Sequence, residues 1–465
     1  MNKINSLKNS FSSLSKGQRS KIITDFFIAI LFILFIACNK KNNKEIHYSY
    51  FNSLSDSVFY FPGEFEPQYS VWMSWSKYEN KKGLNVKKTQ AEIISALSEN
   101  LKVNLLAKPN DNDSTKIDST IEKEIIDYLY QAKAKIENVN IIPLQYEDIW
   151  MRDMGPIFVK NKKGQKAIID FKFNVWGYEN EFSPLSQIEG SVDKKIAHKL
   201  NLPLITSSLI SEGGAKEFNG KGTLILVESV EKHRNPNLTK KQIETEYKRI
   251  FGVKKIIWLP FGLYDDELSF KRLLPGPDGK LNAYTVITTG GHIDQIVRFV
   301  SPNKILYAYC LDEEELKDPI IAENKKRMDI NLQILKNETD QDGHPFELIP
   351  MPFAPTIYDT LKPGDGVYNY LVENDSMKAY NPIKSKEPIT VVLATGYLNF
   401  LISNNVVIQS KYWRKGDPLK WKKLDSISEF TLKKVFPERK IILIDARSIN
   451  IGGGGIHCIT QQEPQ

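Results

Sequence analysis

The chain has 465 residues, 41% of them hydrophobic and 26% charged, with a formal net charge of +7. That balance fits a globular protein with room for a sizeable core, and it excludes a fibrous or disordered chain. Lys3, Lys8, Lys16, Arg19 and Lys21 precede residue 38 against Asp25 alone, and the remainder holds 58 basic and 55 acidic residues, too weak and scattered an excess for a nucleic-acid surface.

Residues 26–37 form an unbroken run of 12 apolar residues behind the basic stretch. A membrane-spanning helix needs roughly 20, so this run fits a signal-peptide core. It closes on Ala37 and Cys38 and passes into a polar stretch. The ending resembles the lipobox of bacterial lipoproteins, in which the cysteine is lipidated and becomes the new N-terminus. Phe35 and Asp25 depart from the usual pattern. The resulting division is a lipoprotein-type signal peptide over 1–38, a polar tether over 39–57 and one globular domain over 58–465. An uncleaved anchor and a plain cleaved signal are the alternatives. All three take the globular part out of the cytoplasm.

From residue 58 onward, strands and helices recur without a linker-like break. Apolar, β-branched runs predict strands at 71–75, 103–107, 141–144, 167–173, 223–227, 255–259, 304–310, 390–394, 406–409 and 440–445. Gln90, Ile93, Ile94, Leu97 and Leu101 follow the spacing of one helical face. Further helices are expected near 121–135, 240–251, 320–335 and 427–435. The polar, Pro/Gly-marked stretches 263–285 and 373–388 read as surface insertions. The pattern is that of a single α/β domain, and no internal repeat stands out.

Four stretches carry chemistry. Trp150, Arg152 and Asp153 crowd together before Gly155 and Pro156, where an Asp could equally make a turn hydrogen bond. Glu212 precedes Gly213 and Gly214, which leave room for a ligand to approach the backbone. His292 and Asp294 follow Gly290 and Gly291 and share a face if the segment is extended. Their spacing also suits a metal site, or a structural histidine capped by its neighbour. Last, four glycines at 452–455 lead into Ile456, His457 and Cys458. If that segment is extended, His457 points away from Cys458, so the partner of a reactive thiol must come from elsewhere. A lone cysteine is otherwise most often buried core. Cys38, Cys310 and Cys458 lie far apart, which argues against a disulfide framework or a cysteine-based metal site. A cysteine, a histidine and several carboxylates without metal-type clustering suggest thiol chemistry on a cationic substrate. Carboxylates raise a thiol pKa, which makes sense if the substrate brings positive charge, and a guanidinium is the natural fit for paired carboxylates.

Taken together, these residues resemble the bacterial agmatine deiminases and the related bacterial peptidylarginine deiminases of the guanidino-group-modifying superfamily. The likeness runs in family order through 62–67, 71–75, 150–153, 212–214, 291–294, 397–400 and 452–462. It implies a five-bladed α/β propeller with the site at its centre, making 58–465 a single deiminase catalytic domain. It implies Cys458 as nucleophile, His292 as general acid/base, and Asp153 and Asp294 as guanidinium ligands. Glu212, Trp150 and Asn399 would line the substrate site, with no metal or organic cofactor. The expected partner is a small guanidino substrate, agmatine before peptidylarginine. The expected location is extracytoplasmic, on a membrane, through lipidated Cys38. An amidinotransferase and a non-catalytic guanidinium-binding lipoprotein are the rivals. The segment 215–222 departs from the agmatine deiminase pattern, and the stretch before His292 looks expanded. Glu217 and Trp150 are candidates to meet an ammonium tail, and Lys216 and Lys221 to meet peptide carbonyls. The sequence sets no oligomeric state.

Overall fold

The computed structural model describes residues 58–269, 271–373, 383 and 386–465. Residues 1–57, with the expected signal peptide, Cys38 and the expected tether, and most of the stretch 373–388 lie outside the described residues.

Five of the six sheets among the described residues repeat one topology, a short first strand antiparallel to a second, which is parallel to a third. The five are Ile157–Lys160, Lys166–Lys172 and Leu204–Ile210; Lys216–Phe218, Thr223–Val227 and Lys255–Leu259; Val297–Ser301, Lys304–Tyr309 and Glu347–Pro352; Leu401–Ile402, Val406–Lys411 and Lys440–Asp445; and Gln461–Pro464, Gln68–Ser74 and Lys102–Ala107. The last set carries Val139–Pro143 as a fourth, parallel strand. A parallel pair needs a crossover, and helices supply it. They are Val86–Ser98, Pro184–Glu189 with Val192–Leu200, Lys240–Phe251, Pro319–Asn337 and Leu419–Val435.

Local chemistry sets these helices. Asn85 caps Val86–Ser98 by accepting from Lys88 N, and the helix buries Val86, Gln90, Ile93, Ile94 and Leu97. Thr239 and Gln242 form a capping box at the start of Lys240–Phe251, and Gly252 ends it at φ 61°. Second strands such as Thr223–Val227 are buried throughout, as a strand covered on both faces must be.

Two features bear on the site. The C-terminal strand pairs with the first, with Val71 opposite Gln462, so both ends of the described chain close in one sheet. The stretch 263–285 also differs from a surface insertion. Leu274–Pro275 and Leu281–Thr285 pair into the sixth sheet with Ile389–Val392 and Tyr358–Leu361. Leu263, Asp266, Leu268 and Ser269 are buried. Asp266 reaches the backbone around His292, so part of this stretch was pulled inward by polar contacts that an index of surface polarity does not reveal.

Candidate active site

The five repeats bring the predicted residues to one place. In each, the turn just before the first strand delivers a side chain. Trp150 and Asp153 precede Ile157–Lys160, and Glu212 precedes Lys216–Phe218. His292 and Asp294 precede Val297–Ser301, Asn399 precedes Leu401–Ile402, and Cys458 precedes Gln461–Pro464. Residues far apart in sequence thus share one structural position.

Gly214 marks where they converge. A Cβ on it would lie 2.6 Å from His292 Nδ1, 3.0 Å from Asp153 Oδ1 and 3.3 Å from Asp294 Oδ2, so only glycine fits. Its backbone N–H donates to Asp153 Oδ1 at 2.9 Å, and the Trp176 indole N–H donates to Asp153 Oδ2 at 2.8 Å. Asn399 Nδ2 donates to Asp294 Oδ2 at 3.0 Å and lies 3.2 Å from Cys458 Sγ, which is itself 3.7 Å from that Asp294 oxygen. Trp150 covers the thiol: a Cβ on Gly454 would meet Trp150 Cζ3 at 2.7 Å and Cys458 Sγ at 2.9 Å. The Trp150 and Trp176 rings meet edge to face, with centroids 6.3 Å apart.

Glu212 lies behind His292. One of its oxygens is 2.6 Å from Arg234 Nε and the other is 3.4 Å from His292 Nε2, which leaves the histidine's Nδ1 on the Gly214 side. Asp266 accepts backbone N–H bonds from Gly291 and His292, each at 3.1 Å, and holds the loop that carries the ring. His292 and Asp294 belong to no group of three or more His, Cys, Asp or Glu placed to share a metal ion among the described residues.

The electrostatics follow from crowding in a dry site. Burial, then Asp294 and Asp153, push the Cys458 thiol well above its ordinary range. Burial opposes charge on His292, but Asp153, Glu212 and Asp294 outweigh it and raise the imidazole to about 9. Burial would also raise Glu212, yet Arg234 and His292 bring it down to about 2. Burial raises Asp153, with His292 opposing, whereas for Asp294 burial is outweighed by His457, His292 and Arg298 together, and the carboxyl is lowered. Crowding therefore favours a protonated thiol and an imidazolium among these carboxylates.

Two expectations about conformation change. Residues 456–459 form turns and not an extended strand, so alternation does not decide where His457 points. His457 bridges Asp294 and Glu64, and the Asp294 oxygen that it meets lies 3.7 Å from Cys458 Sγ. His292 and Asp294 share the site although Ile293–Gln295 is a 3-10 turn. Two tail candidates are engaged elsewhere. Glu217 accepts from Phe299 N at 2.7 Å and faces Arg298 at 3.2 Å, and Lys216 is buried with its ammonium on Ser211 Oγ and Glu212 O. The sequence reading missed Trp176, Arg234, Asp266, Glu64 and His457 as parts of the site. Glu64 and His457 stood in motif stretches already noted, 62–67 and 452–462, and Asp266 in the stretch 263–285; Trp176 and Arg234 stood in none.

A sequence profile of the Porphyromonas-type peptidyl-arginine deiminases matches residues 60–272 and 277–464. The agmatine deiminase of Pseudomonas syringae pv. tomato is 30% identical over 415 residues, covering 87% of this chain and 95% of that one. Two solved structures share the fold. The agmatine deiminase of Enterococcus faecalis superposes with a TM-score of 0.67 at 24% identity, covering 89% of this chain and 99% of that one. That of C. jejuni gives a TM-score of 0.58 at 24% identity, with coverage of 89% and 98%.

Proposed function

The chain belongs to the Porphyromonas-type peptidyl-arginine deiminase family, and from that premise we propose that it hydrolyses agmatine to N-carbamoylputrescine and ammonia. It is a hydrolase acting on a C–N bond of a linear amidine, and the similarity to agmatine deiminases over most of the chain supports this substrate. The observation that carries the choice is enclosure. Cys458 is 3% exposed, His292 1% and Asp294 0%, which suits a small guanidino amine better than a peptide chain. Lys216, the inner of the two lysines that could have met peptide carbonyls, is buried and engaged.

The roles follow from the geometry. The guanidinium lies between Asp153 and Asp294, and its charge offsets theirs. That relieves the carboxylates' hold on the thiol proton and permits a thiolate beside the His292 imidazolium. The thiolate attacks the guanidinium carbon and a C–S bond forms. His292 protonates one amino group, the C–N bond breaks and ammonia leaves. A thiouronium remains on Cys458. His292, now neutral, takes a proton from water as the C–O bond forms. The C–S bond then breaks, the thiolate leaves, and a further proton loss gives the ureido product. Paired carboxylates in a water-poor site count for more than they would in water. Trp150 lies along the thiol, and Asn399 holds it against Asp294. Glu212 acts on substrate through His292. The five repeated sheets support reading residues 58–465 as one catalytic domain, a five-bladed propeller with this site at its centre.

The deciding comparison is kcat/KM for agmatine against a blocked arginine amide. Agmatine should be the better substrate. A preference of about tenfold for the blocked amide, roughly 1.4 kcal/mol of transition-state discrimination, would overturn the choice.

The run at 26–37 closing on Cys38 supports a lipid-anchored, extracytoplasmic enzyme. One lipid chain anchors only marginally, so multiple acylation is expected. Cys38→Ser should leave an unprocessed precursor or a soluble protein. A variant that still fractionates with membranes at mature mass would contradict lipidation.

A further inference from the structure

We propose that His457 positions the Asp294 carboxylate for the guanidinium, and that Glu64 in turn positions His457. The inference rests on the deiminase reading of the same site and adds two residues to it. His457 is 1% exposed and lies between two carboxylates. Its Nδ1 is 2.8 Å from Asp294 Oδ2, and its Nε2 is 3.0 Å from both oxygens of Glu64. Asn399 donates to the same Asp294 oxygen at 3.0 Å. Oδ2 is therefore engaged twice, whereas the buried Oδ1 accepts no hydrogen bond among the described residues. A carboxylate fixed through one oxygen presents the other in a set direction. A planar guanidinium needs that, because its N–H groups diverge at fixed angles and a misplaced acceptor loses the pair.

Glu64 is held from three further directions. Arg152 lies 2.8 Å from it and Arg298 2.6 Å, and Gln462 Nε2 donates to it at 3.0 Å. Arg298 carries the hold onward, donating to Leu398 O at 2.9 Å and Phe400 O at 2.7 Å, the two residues that flank Asn399. Arg152 N donates to Cys458 O at 2.9 Å. One buried carboxylate thus ties together the segments that carry Asp153, Asn399 and Cys458, and reaches Asp294 through His457. A charge network serving stability alone would leave the site's preference for cations untouched once the protein is folded. A positioning network would not.

The two amide isosteres of histidine separate these cases. In His457→Asn the side-chain nitrogen stands in for Nδ1 and keeps Asp294. In His457→Gln it stands in for Nε2 and keeps Glu64. The readout is the rate of Cys458 alkylation by cationic chloroacetamidine divided by that for neutral iodoacetamide, taken on full-length folded protein with a thermal melt as control. The neutral reagent reports the thiol, and the ratio reports the guanidinium site. The ratio should fall at least about tenfold in His457→Gln, the size of loss typical when the partner that orients a ligand is removed. It should stay near the wild-type value in His457→Asn. Should His457→Gln fail to fold, His457→Ala, which also removes the contact to Asp294, carries the test, with a fall in the ratio expected. A ratio unchanged in the folded Gln variant, or equal losses in Asn and Gln, would overturn the proposal. A wild-type protein with no preference for the amidine and no ureido product from agmatine would instead refute the deiminase reading itself.

Discussion

Asp153 and Asp294 both sit beside His292 in the buried site, yet Asp153 is held by a backbone amide and an indole, and Asp294 by the Asn399 amide and a histidine with Glu64 and two arginines behind it. Asp153 takes the Gly214 amide and the Trp176 indole, and that indole is delivered by a strained turn in which Val175 and Trp176 have φ of 51° and 54°. Such a conformation costs a β-branched residue on the order of 1–3 kcal/mol and persists only where the surroundings impose it. Asp294 takes His457, which is backed by Glu64 and two arginines. The contrast shows in their protonation. Burial raises Asp153, whereas at Asp294 burial is outweighed by His457 with His292 and Arg298, and the carboxyl is lowered. Asp294 is thus prepared as an anion before substrate arrives, and Asp153 gains most from the substrate's own charge.

The largest effect tests the thiol that both aspartates face. Cys458→Ala should abolish turnover, while Cys310→Ala leaves it largely intact. Cys310 is buried too, but its thiol faces Asp312 O and Glu315 away from the aspartates. Chloroacetamidine should add once to the protein, and the adduct should vanish in Cys458→Ala. Labelling that persists there would remove Cys458 from the mechanism.

Replacing either carboxylate comes next. Asp153→Asn and Asp294→Asn keep shape and lose charge, and each should lower kcat/KM by about 10²–10³-fold, the scale of one preorganised electrostatic contact. Circular dichroism should not change. Near-normal kcat/KM in either variant would remove that residue from the guanidinium site.

The pH profile separates His292 from both aspartates. The protonated ring is the form held up to about 9, so activity that needs its proton should fall as pH rises through that value. Glu212 supports that proton, so Glu212→Gln should move the alkaline limb to lower pH. The variant leaves Arg234 buried without its partner, at a cost of about 3–5 kcal/mol, so the profile must be taken on protein shown to be folded. An alkaline limb that stays in place would sever Glu212 from His292.

Trp176→Phe keeps the ring and deletes the donor to Asp153. A hydrogen bond to a charged group is worth about 1.5–3 kcal/mol, so a loss of roughly ten- to a hundredfold in kcat/KM is expected. Activity at the wild-type level would make the strained turn structural only. The smallest effect should come from Val175→Gly, which relieves strain at an entropic cost of about 1 kcal/mol. A small rise in melting temperature with unchanged kcat/KM is expected, and a fall would show that the Val175 side chain contributes more than its strain costs.

Much of this fold could be read in the sequence. Each of the ten strand runs and five helical runs meets an element of that type, because those elements bury continuous or periodic apolar faces. The strands that escaped are the short first ones of each repeat, the third strands Leu204–Ile210 and Glu347–Pro352, and three strands of the sixth sheet, Leu274–Pro275, Leu281–Thr285 and Tyr358–Leu361. Lys216–Phe218, Val297–Ser301 and Gln461–Pro464 are buried but carry Glu217, Arg298 and Gln462 inward. Those side chains pair with one another or with Glu64. Buried charge paired across the chain breaks the hydrophobic pattern that marks a strand. The same blind spot hid His457, whose partners lie 163 and 393 residues away. Glycine-marked turns announced Glu212, His292, Asp294 and Cys458. Of the residues that orient them, Trp176 and Arg234 came from segments with no local mark, and Glu64 and His457 stood in marked segments whose partners lie far along the chain.

The measurement that bears most directly on the account is acid-quench mass spectrometry of the full-length protein during turnover of agmatine. The account predicts a substituted thiouronium adduct, agmatine less ammonia, on the peptide that contains Cys458, formed with the first ammonia released and before N-carbamoylputrescine accumulates. Product formation by Cys458→Ala, or steady turnover with that peptide unmodified at every quench time, would contradict it.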